Sequence, residues 1–204
     1  MIAILDYGVG NISSVCSMLR KAGAETQVTR HASEILAADK LLLPGVGHFD
    51  HGMKMLNASG LRETLDQFAL ELKRPVLGIC LGAQILGKGS EEGDTAGLGW
   101  IDMECHKFQA MPGIRVPHMG WNQIVRKKSS PLLDQMDEDA RFYFVHSYKM
   151  HCADAGDVLA TATHGVEFTC AVQRGNIFGT QFHPEKSLRH GLALMKAFVG
   201  MPST

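Results

Sequence analysis

The chain has 204 residues, 45% of them apolar, with 20 Lys and Arg against 21 Asp and Glu for a net charge of −1. That composition supports a buried core and excludes a disordered chain as the main reading. The balanced charge excludes the basic footprint of a nucleic-acid binder, and the densest basic cluster, Arg126-Lys127-Lys128, reads as a solvated turn.

A short apolar strand over residues 2–5 runs into the turn Asp6-Tyr7-Gly8-Val9-Gly10-Asn11. From Ile12, the residues Val15, Met18, Leu19 and Ala22 recur at helical spacing until Gly23 stops the run. Strands follow at 26–29 and 40–43, the second broken by Pro44-Gly45-Val46-Gly47. Met53, Leu56, Leu61, Leu65, Phe68, Ala69 and Leu72 mark helical material, and a strand over 75–79 leads into a helix over 81–86. Continuous apolar strands separated by helices predict a parallel sheet covered on both faces.

Beyond residues 93–97 the pattern changes. Strand-like runs at 100–104, 122–125, 142–148, 158–162, 169–173 and 177–181 follow at short spacing, with no long helix until 188–199. That predicts an antiparallel addition to the parallel sheet, hence an α/β fold with a mixed central sheet. The change is one of sheet type, so a single domain over 1–204 is expected.

The longest charge-free apolar run, 75–87, falls short of the ~18–20 residues that span a bilayer. No basic, apolar leader opens the chain, so it is expected in the cytoplasm with no membrane association. Its five cysteines (Cys16, Cys80, Cys105, Cys152, Cys170) form no CxxC pair, which fits neither a disulfide framework nor a zinc site.

The densest chemistry lies in Gly78-Ile79-Cys80-Leu81-Gly82. A strand meets a helix with Gly two residues either side of a Cys, the layout of a nucleophile elbow with Cys in place of Ser. The glycines are needed because the strained turn leaves no room for a Cβ. A helix N-terminus at Cys80 favours thiolate; the plainer alternative is a small buried apolar residue. Among ten histidines, His183 stands apart through Phe182-His183-Pro184-Glu185. Pro184 stiffens the turn, and Glu185 can orient the His183 imidazole as the third member of a triad does. The alternative is a strand-end loop with a solvated Glu. A tetrahedral oxyanion needs backbone N–H donors: Leu81 supplies one, and Pro44-Gly45-Val46-Gly47 can supply another at Val46.

Two weaker signals stay open. Gly8-Val9-Gly10-Asn11-Ile12-Ser13 follows a strand like a dinucleotide loop, but Ser13 stands where a third small residue belongs. His48-Phe49-Asp50-His51 groups possible metal ligands without a second cluster, so no metal or cofactor is expected.

Gly-Ile-Cys-Leu-Gly-Ala-Gln at 78–84 with Phe-His-Pro-Glu-Lys-Ser at 182–187 resembles the class I (triad) glutamine amidotransferases, whose fold is flavodoxin-like. Asp-Tyr-Gly-Val-Gly-Asn at 6–11, Leu-Pro-Gly-Val-Gly at 43–47, Pro-His-Met-Gly-Trp-Asn at 117–122 and Tyr-Phe-Val-His-Ser-Tyr at 143–148 narrow the resemblance to the HisH-type glutaminase subunits, end to end. Ala83 departs from the usual Met and His48 from the usual Ala; neither change removes a catalytic group.

The resemblance implies hydrolysis of L-glutamine with Cys80 as nucleophile, His183 as base and Glu185 as orienting acid. It implies glutamine contacts from Gln84, Glu92, Ser147 and Tyr148. It further implies a heterodimer with a HisF-like (β/α)8-barrel subunit that receives the ammonia, with Asn11, Trp121, Tyr143 and Lys186 at or near the contact. Histidine and purine-precursor synthesis is the implied pathway. The stretches at 99–102 and 166–169 also resemble paralogues that feed ammonia to a surface-polysaccharide sugar amidotransferase. A partner-independent cysteine hydrolase of similar fold is the remaining alternative.

Overall fold

The computed structural model describes residues 1–109 and 111–203. In chain order the first half contains β1 (Ile2–Leu5), α1 (Ile12–Lys21), β2 (Thr26–Thr29), α2 (Ala32–Ala37), β3 (Lys40–Gly45), α3 (Phe49–Ala58), α4 (Arg62–Asp66), a π-helical turn (Gln67–Glu71), β4 (Val76–Cys80) and α5 (Leu81–Gln84). The second half contains β5 (Gly89–Ser90), β6 (Met103–Lys107), β7 (His118–Gln123), β8 (Val125–Arg126), β9 (Arg141–His146), β10 (Tyr148–Cys152), β11 (Val158–His164), β12 (Val166–Arg174), β13 (Ile177–Thr180) and α6 (Leu188–Gly200).

The main sheet runs β2-β1-β3-β4-β13-β12-β10-β6-β5, with β11 on β12 and β8 on β11. The first five strands of that order are parallel, and antiparallel pairing begins at β12. The expected mixed sheet is therefore present. Its parallel strands β1, β3, β4 and β13 are buried along their length because alternate residues enter different cores, while the edge strand β2 stays partly exposed. Ala3, Leu5, Leu41 and Leu43 pack with α3 and α4 residues such as Met53 and Leu65. Ile2, Ile4, Leu42 and Leu77 pack with Val15 and Leu19 of α1 and Leu194 and Phe198 of α6.

Four expectations shift. The strand expected at 100–104 begins at Met103, because Gly99 and Trp100 bond back to Gly87 and Leu86 and close the turn after α5. The run expected at 142–148 is two strands broken at Ser147, and β9 leaves the main sheet to pair with β7. The stretch expected at 122–125 likewise splits, with His118–Gln123 on β9 and Val125–Arg126 on β11. The helix expected over 81–86 ends at Gln84.

The carboxyl ends of β3 and β4 meet because Gly82 has no side chain. A Cβ there would overlap the Leu43 carbonyl oxygen, and one at Gly78 would overlap the Gly82 carbonyl. A backbone neighbour cannot rotate away as a side chain can. Gly82→Ala is therefore expected to lose stability at or beyond the upper end of the ~1–3 kcal/mol typical of overpacking. Gly200→Ala, at a helix end with open space around it, should be neutral or slightly stabilising. Urea unfolding of the two variants checks the contrast.

Candidate active site

Cys80 closes β4 with φ 55° and ψ −111°, a positive-φ conformation shared among the described non-glycine residues with Lys73 and Leu188. The sharp turn lifts the thiol out of the strand line, as an elbow requires. α5 is a single turn of four residues, so the dipole at Cys80 is that of one turn and not of the longer helix expected. Gly45 pairs with Cys80 in the parallel register. A Cβ on Gly45 would stand 2.7 Å from the Gly82 nitrogen and 2.9 Å from the Leu81 Cβ.

A cavity of about 610 Å³ opens over this turn. Cys80, His183, Val46, Gln84, Glu92, Ser147 and Tyr148 all line it, with Asn11 and Lys186. Residues from six separate parts of the sequence thus converge at one sheet edge, where open α/β sheets place their ligands. Leu81 is buried behind the cavity, and Trp121 and Tyr143 lie outside it, opposite one another on β7 and β9. Their rings meet edge to face at 6.1 Å, and the Lys186 ammonium lies 5.7 Å from the Tyr143 ring centre.

Pro184–Lys186 forms one 3-10 turn after His183, which folds Glu185 back beneath the imidazole. His183 Nδ1 and Glu185 Oε1 are 2.8 Å apart, both side chains only 2% exposed. The carboxylate accepts, so Nδ1 carries the proton and Nε2 is left as the free face of the ring. Nε2 is buried and has no hydrogen-bond partner among the described residues. Burial alone would lower the His183 pKa, but Cys80 and the Glu185 carboxylate outweigh it and raise the value to about 9. The remaining thiols are held up by burial: Cys152 rises to about 12, and Cys16, Cys105 and Cys170 rise too.

Two supporting groups, Gln181 and Ser187, escaped the sequence reading. Gln181, fully buried, donates to Cys80 Sγ at 3.8 Å and accepts from the Gln84 amide at 3.0 Å. The amide nitrogen of Gln84 is thereby engaged within the protein. Ser187 donates to the His183 carbonyl at 2.6 Å and accepts from the Tyr143 N–H at 2.9 Å. Glu92 accepts from the Phe49 N–H at 2.9 Å, tying the loop after β3 to the cavity wall. A polar residue ending a buried apolar strand was the signal for Gln181; Ser187 carried none.

Behind Ser147 and Tyr148 runs a chain of imidazoles. His146 Nδ1 donates to the Tyr148 carbonyl at 2.7 Å, so its Nε2 must accept, and His118 Nδ1 donates to it at 2.9 Å. His118 Nε2 then accepts from the Asn122 amide at 3.2 Å. Every member is neutral and its tautomer fixed. Burial first, then the neighbouring His164, lowers His118 to about 4; burial also lowers His146, to about 3, against the opposing Tyr148 carbonyl.

The weaker motifs have structural uses. Asn11 caps α1 and Gly10 packs on Pro44. His48 caps α3, and Asp50 accepts from the Thr95 N–H at 2.9 Å. A larger groove of about 810 Å³ lies on the antiparallel strands, lined by His106, Lys127, Lys149 and His151 among others. Its one thiol, Cys152, is the one raised to about 12, whereas the candidate nucleophile Cys80 shares the smaller cavity with His183.

The chain matches the family described as Glutamine amidotransferase class-I over residues 3–200. It is 49% identical to Imidazole glycerol phosphate synthase subunit HisH 2 of Pseudomonas aeruginosa, covering 98% of each chain. It is 45% identical to Imidazole glycerol phosphate synthase subunit HisH of Leptospira interrogans, covering 98% of this chain and 100% of that one. The fold is similar to that of PurLQS from Thermotoga maritima, with TM-score 0.76 at 17% identity, covering 97% of this chain and 96% of that one.

The histidines give stability a pH dependence of both signs. His118 and His146 are held below their ordinary 6.5, so the unfolded chain takes up protons that the folded chain refuses. Stability falls as pH drops from about 6.5 toward 4. His183 is raised above 6.5, so its contribution is full below that pH and is lost as pH climbs through about 9. Urea midpoints should peak between these limbs. His118→Asn, which keeps a donor for His146 and does not titrate, should flatten the acid limb; an unchanged limb would refute the assignment.

Proposed function

This chain belongs to the class I glutamine amidotransferase family, and on that premise we propose that it is the glutaminase subunit of an imidazole glycerol phosphate synthase, residues 1–204 forming one amidotransferase domain. The observation that carries the reading is the buried His183–Glu185 pair, 2.8 Å apart, in the wall of the cavity that Cys80 also lines.

L-Glutamine binds with its side-chain amide over Cys80, and Glu92, Ser147 and Tyr148 hold the amino-acid end. His183 Nε2 takes the thiol proton, and the resulting thiolate attacks the amide carbon. The oxyanion that forms is met by the Leu81 N–H and by the Val46 N–H once that peptide faces inward. Collapse of the tetrahedral species breaks the C–N bond; His183 gives its proton to the leaving nitrogen, and ammonia departs. Water then attacks the thioester with His183 again as base, releasing glutamate and restoring the thiol. Glu185 holds the imidazole in one tautomer and balances the imidazolium.

The ammonia passes to a HisF-like (β/α)8-barrel subunit docked over the cavity. The relatives' names support a second subunit, and the surface supports its place. Trp121 is 44% and Met119 62% exposed beside the site, with Asn11, Tyr143 and Lys186 on the same face. Lys186 offers an anchor for a carboxylate of that partner. A glutaminase that ran alone would release ammonia to solvent, so the free chain is the slow form, with a single oxyanion donor in place.

Glutamine turnover is to be measured for the isolated chain and for its complex with the cognate barrel. One added oxyanion donor corresponds to ~10²–10³ in rate, and that is the activation expected. Equal rates would favour a partner-independent hydrolase. Lys186→Ala should reduce the activation while leaving the fold intact.

Cys80→Ala should abolish glutamine-dependent synthesis by the complex and spare its ammonia-dependent synthesis. Loss of the acid–base group in His183→Ala should cost on the order of 10²–10⁴ in turnover, and Glu185→Gln less. Retained glutaminase activity in Cys80→Ala would end the proposal.

A further inference from the structure

Tyr7 sits just past β1, 3% exposed, and its hydroxyl is buried with no hydrogen-bond partner among the described residues. Buried hydroxyls in folded proteins are nearly always paired, and one left alone calls for a reason. Burial, with Cys80 nearby adding to it, holds this phenol well above its ordinary pKa. It is therefore a permanent donor without an acceptor.

Its neighbour is Gly45. A Cβ on that residue would stand 2.9 Å from Tyr7 Oη, so the hydroxyl rests against the Cα from which the Gly45–Val46 peptide starts. The Gly45 carbonyl carbon is bonded to that same Cα, and rotation about the bond between them sweeps its oxygen around the space beside the hydroxyl. In this structure the oxygen does not meet it, since the hydroxyl has no partner.

The carbonyl and N–H of a trans peptide point in opposite directions. A rotation that brings the Val46 N–H to face the cavity must turn the Gly45 carbonyl away from it, toward the protein interior where Tyr7 lies. We propose that Tyr7 is a positioning residue: its hydroxyl donates to the Gly45 carbonyl in the turned-over state and so holds the Val46 N–H toward the substrate oxyanion. The inference rests on the reading above that Val46 supplies an oxyanion donor. It also gives Gly45 a second reason to be glycine, because a side chain would occupy the space the hydroxyl needs.

The test is Tyr7→Phe, which removes one oxygen and keeps the ring, assayed in the complex with the cognate barrel. The kcat for glutamine hydrolysis should fall at least threefold and up to about tenfold, the rate equivalent of one neutral hydrogen bond. KM for glutamine should stay unchanged, because the contact forms only around the reacting carbonyl. Alkylation of Cys80 by iodoacetamide builds no oxyanion and should proceed at the parent rate, and the melting temperature should not drop.

A kcat within threefold of the parent overturns the inference and leaves the hydroxyl to a buried water. A rise in KM, slowed alkylation or a lowered melting temperature in place of the kcat effect also overturns it, in favour of a packing role. The parent complex and Cys80→Ala run alongside. If the parent hydrolyses no glutamine, or Cys80→Ala still does, the glutaminase reading fails and takes this inference with it. If both controls behave and Tyr7→Phe matches the parent, the inference alone fails.

Discussion

Two strands end side by side at the cavity, and contact between their backbones decides where everything else can go. The Leu43 carbonyl fills the space a side chain would take at residue 82, and the Gly82 carbonyl fills the space beside Gly78. With both glycines in place, β4 can turn at once into α5 and leave Cys80 at φ 55°. A non-glycine residue in that region costs about 1–3 kcal/mol and persists only where its surroundings hold it. Here β4 is paired on both edges, Gly45 with Cys80 and Thr180 with Ile79. The same contact lays the Pro44–Gly47 segment over Leu81, so the strain at the sulfur and the placement of the Val46 peptide have one origin.

The second constraint is electrostatic. His183 and Glu185 are both nearly closed to solvent, and burying a charged pair is costly unless the geometry is good and further bonds support it. The 3-10 turn supplies the geometry, and the backbone of His183 is bound at both ends. Its N–H donates to the Tyr143 carbonyl at 2.9 Å and its carbonyl accepts from Ser187. The result is an imidazole whose proton affinity is raised despite burial. A ring in that state can draw a proton from a nearby thiol, which is what the proposed nucleophile needs.

The parallel half was legible because β1, β3 and β4 each centre on a short apolar run set between helical stretches, and the elbow and the His183 turn are local motifs whose members lie within a few residues. The antiparallel half was less so. Trp100 and Ile101 are apolar and buried, yet they close a turn, and hydrophobicity alone does not distinguish that use from a strand. Nothing in the apolar pattern of 142–148 marks Ser147 as the point where the chain changes sheets. Gln181 acts on a sulfur 101 residues away. The imidazole chain exists only because the β7–β9 register sets His118 opposite His146, a pairing no periodicity reveals.

That register has a further consequence. It sets Trp121, on the proposed partner face, opposite Tyr143, and the Tyr143 carbonyl holds the His183 N–H. A docked partner is thus one side chain and one hydrogen bond from the imidazole, yet this route is poorly suited to switching. His183 is fixed by Glu185, Tyr143 and Ser187 together, and moving it would break several buried bonds at once. The segment after Gly45 is different. Val46 is 40% exposed, and Gly47 has φ 100° with nothing packed where a Cβ would be. A partner can shift an equilibrium only through contacts that differ between its two states, and those are cheapest to arrange where little is already committed. Under the proposed mechanism the architecture therefore keeps nucleophile and base rigid and leaves the oxyanion donor as the movable part, so that docking can govern the rate without disturbing the acid–base pair.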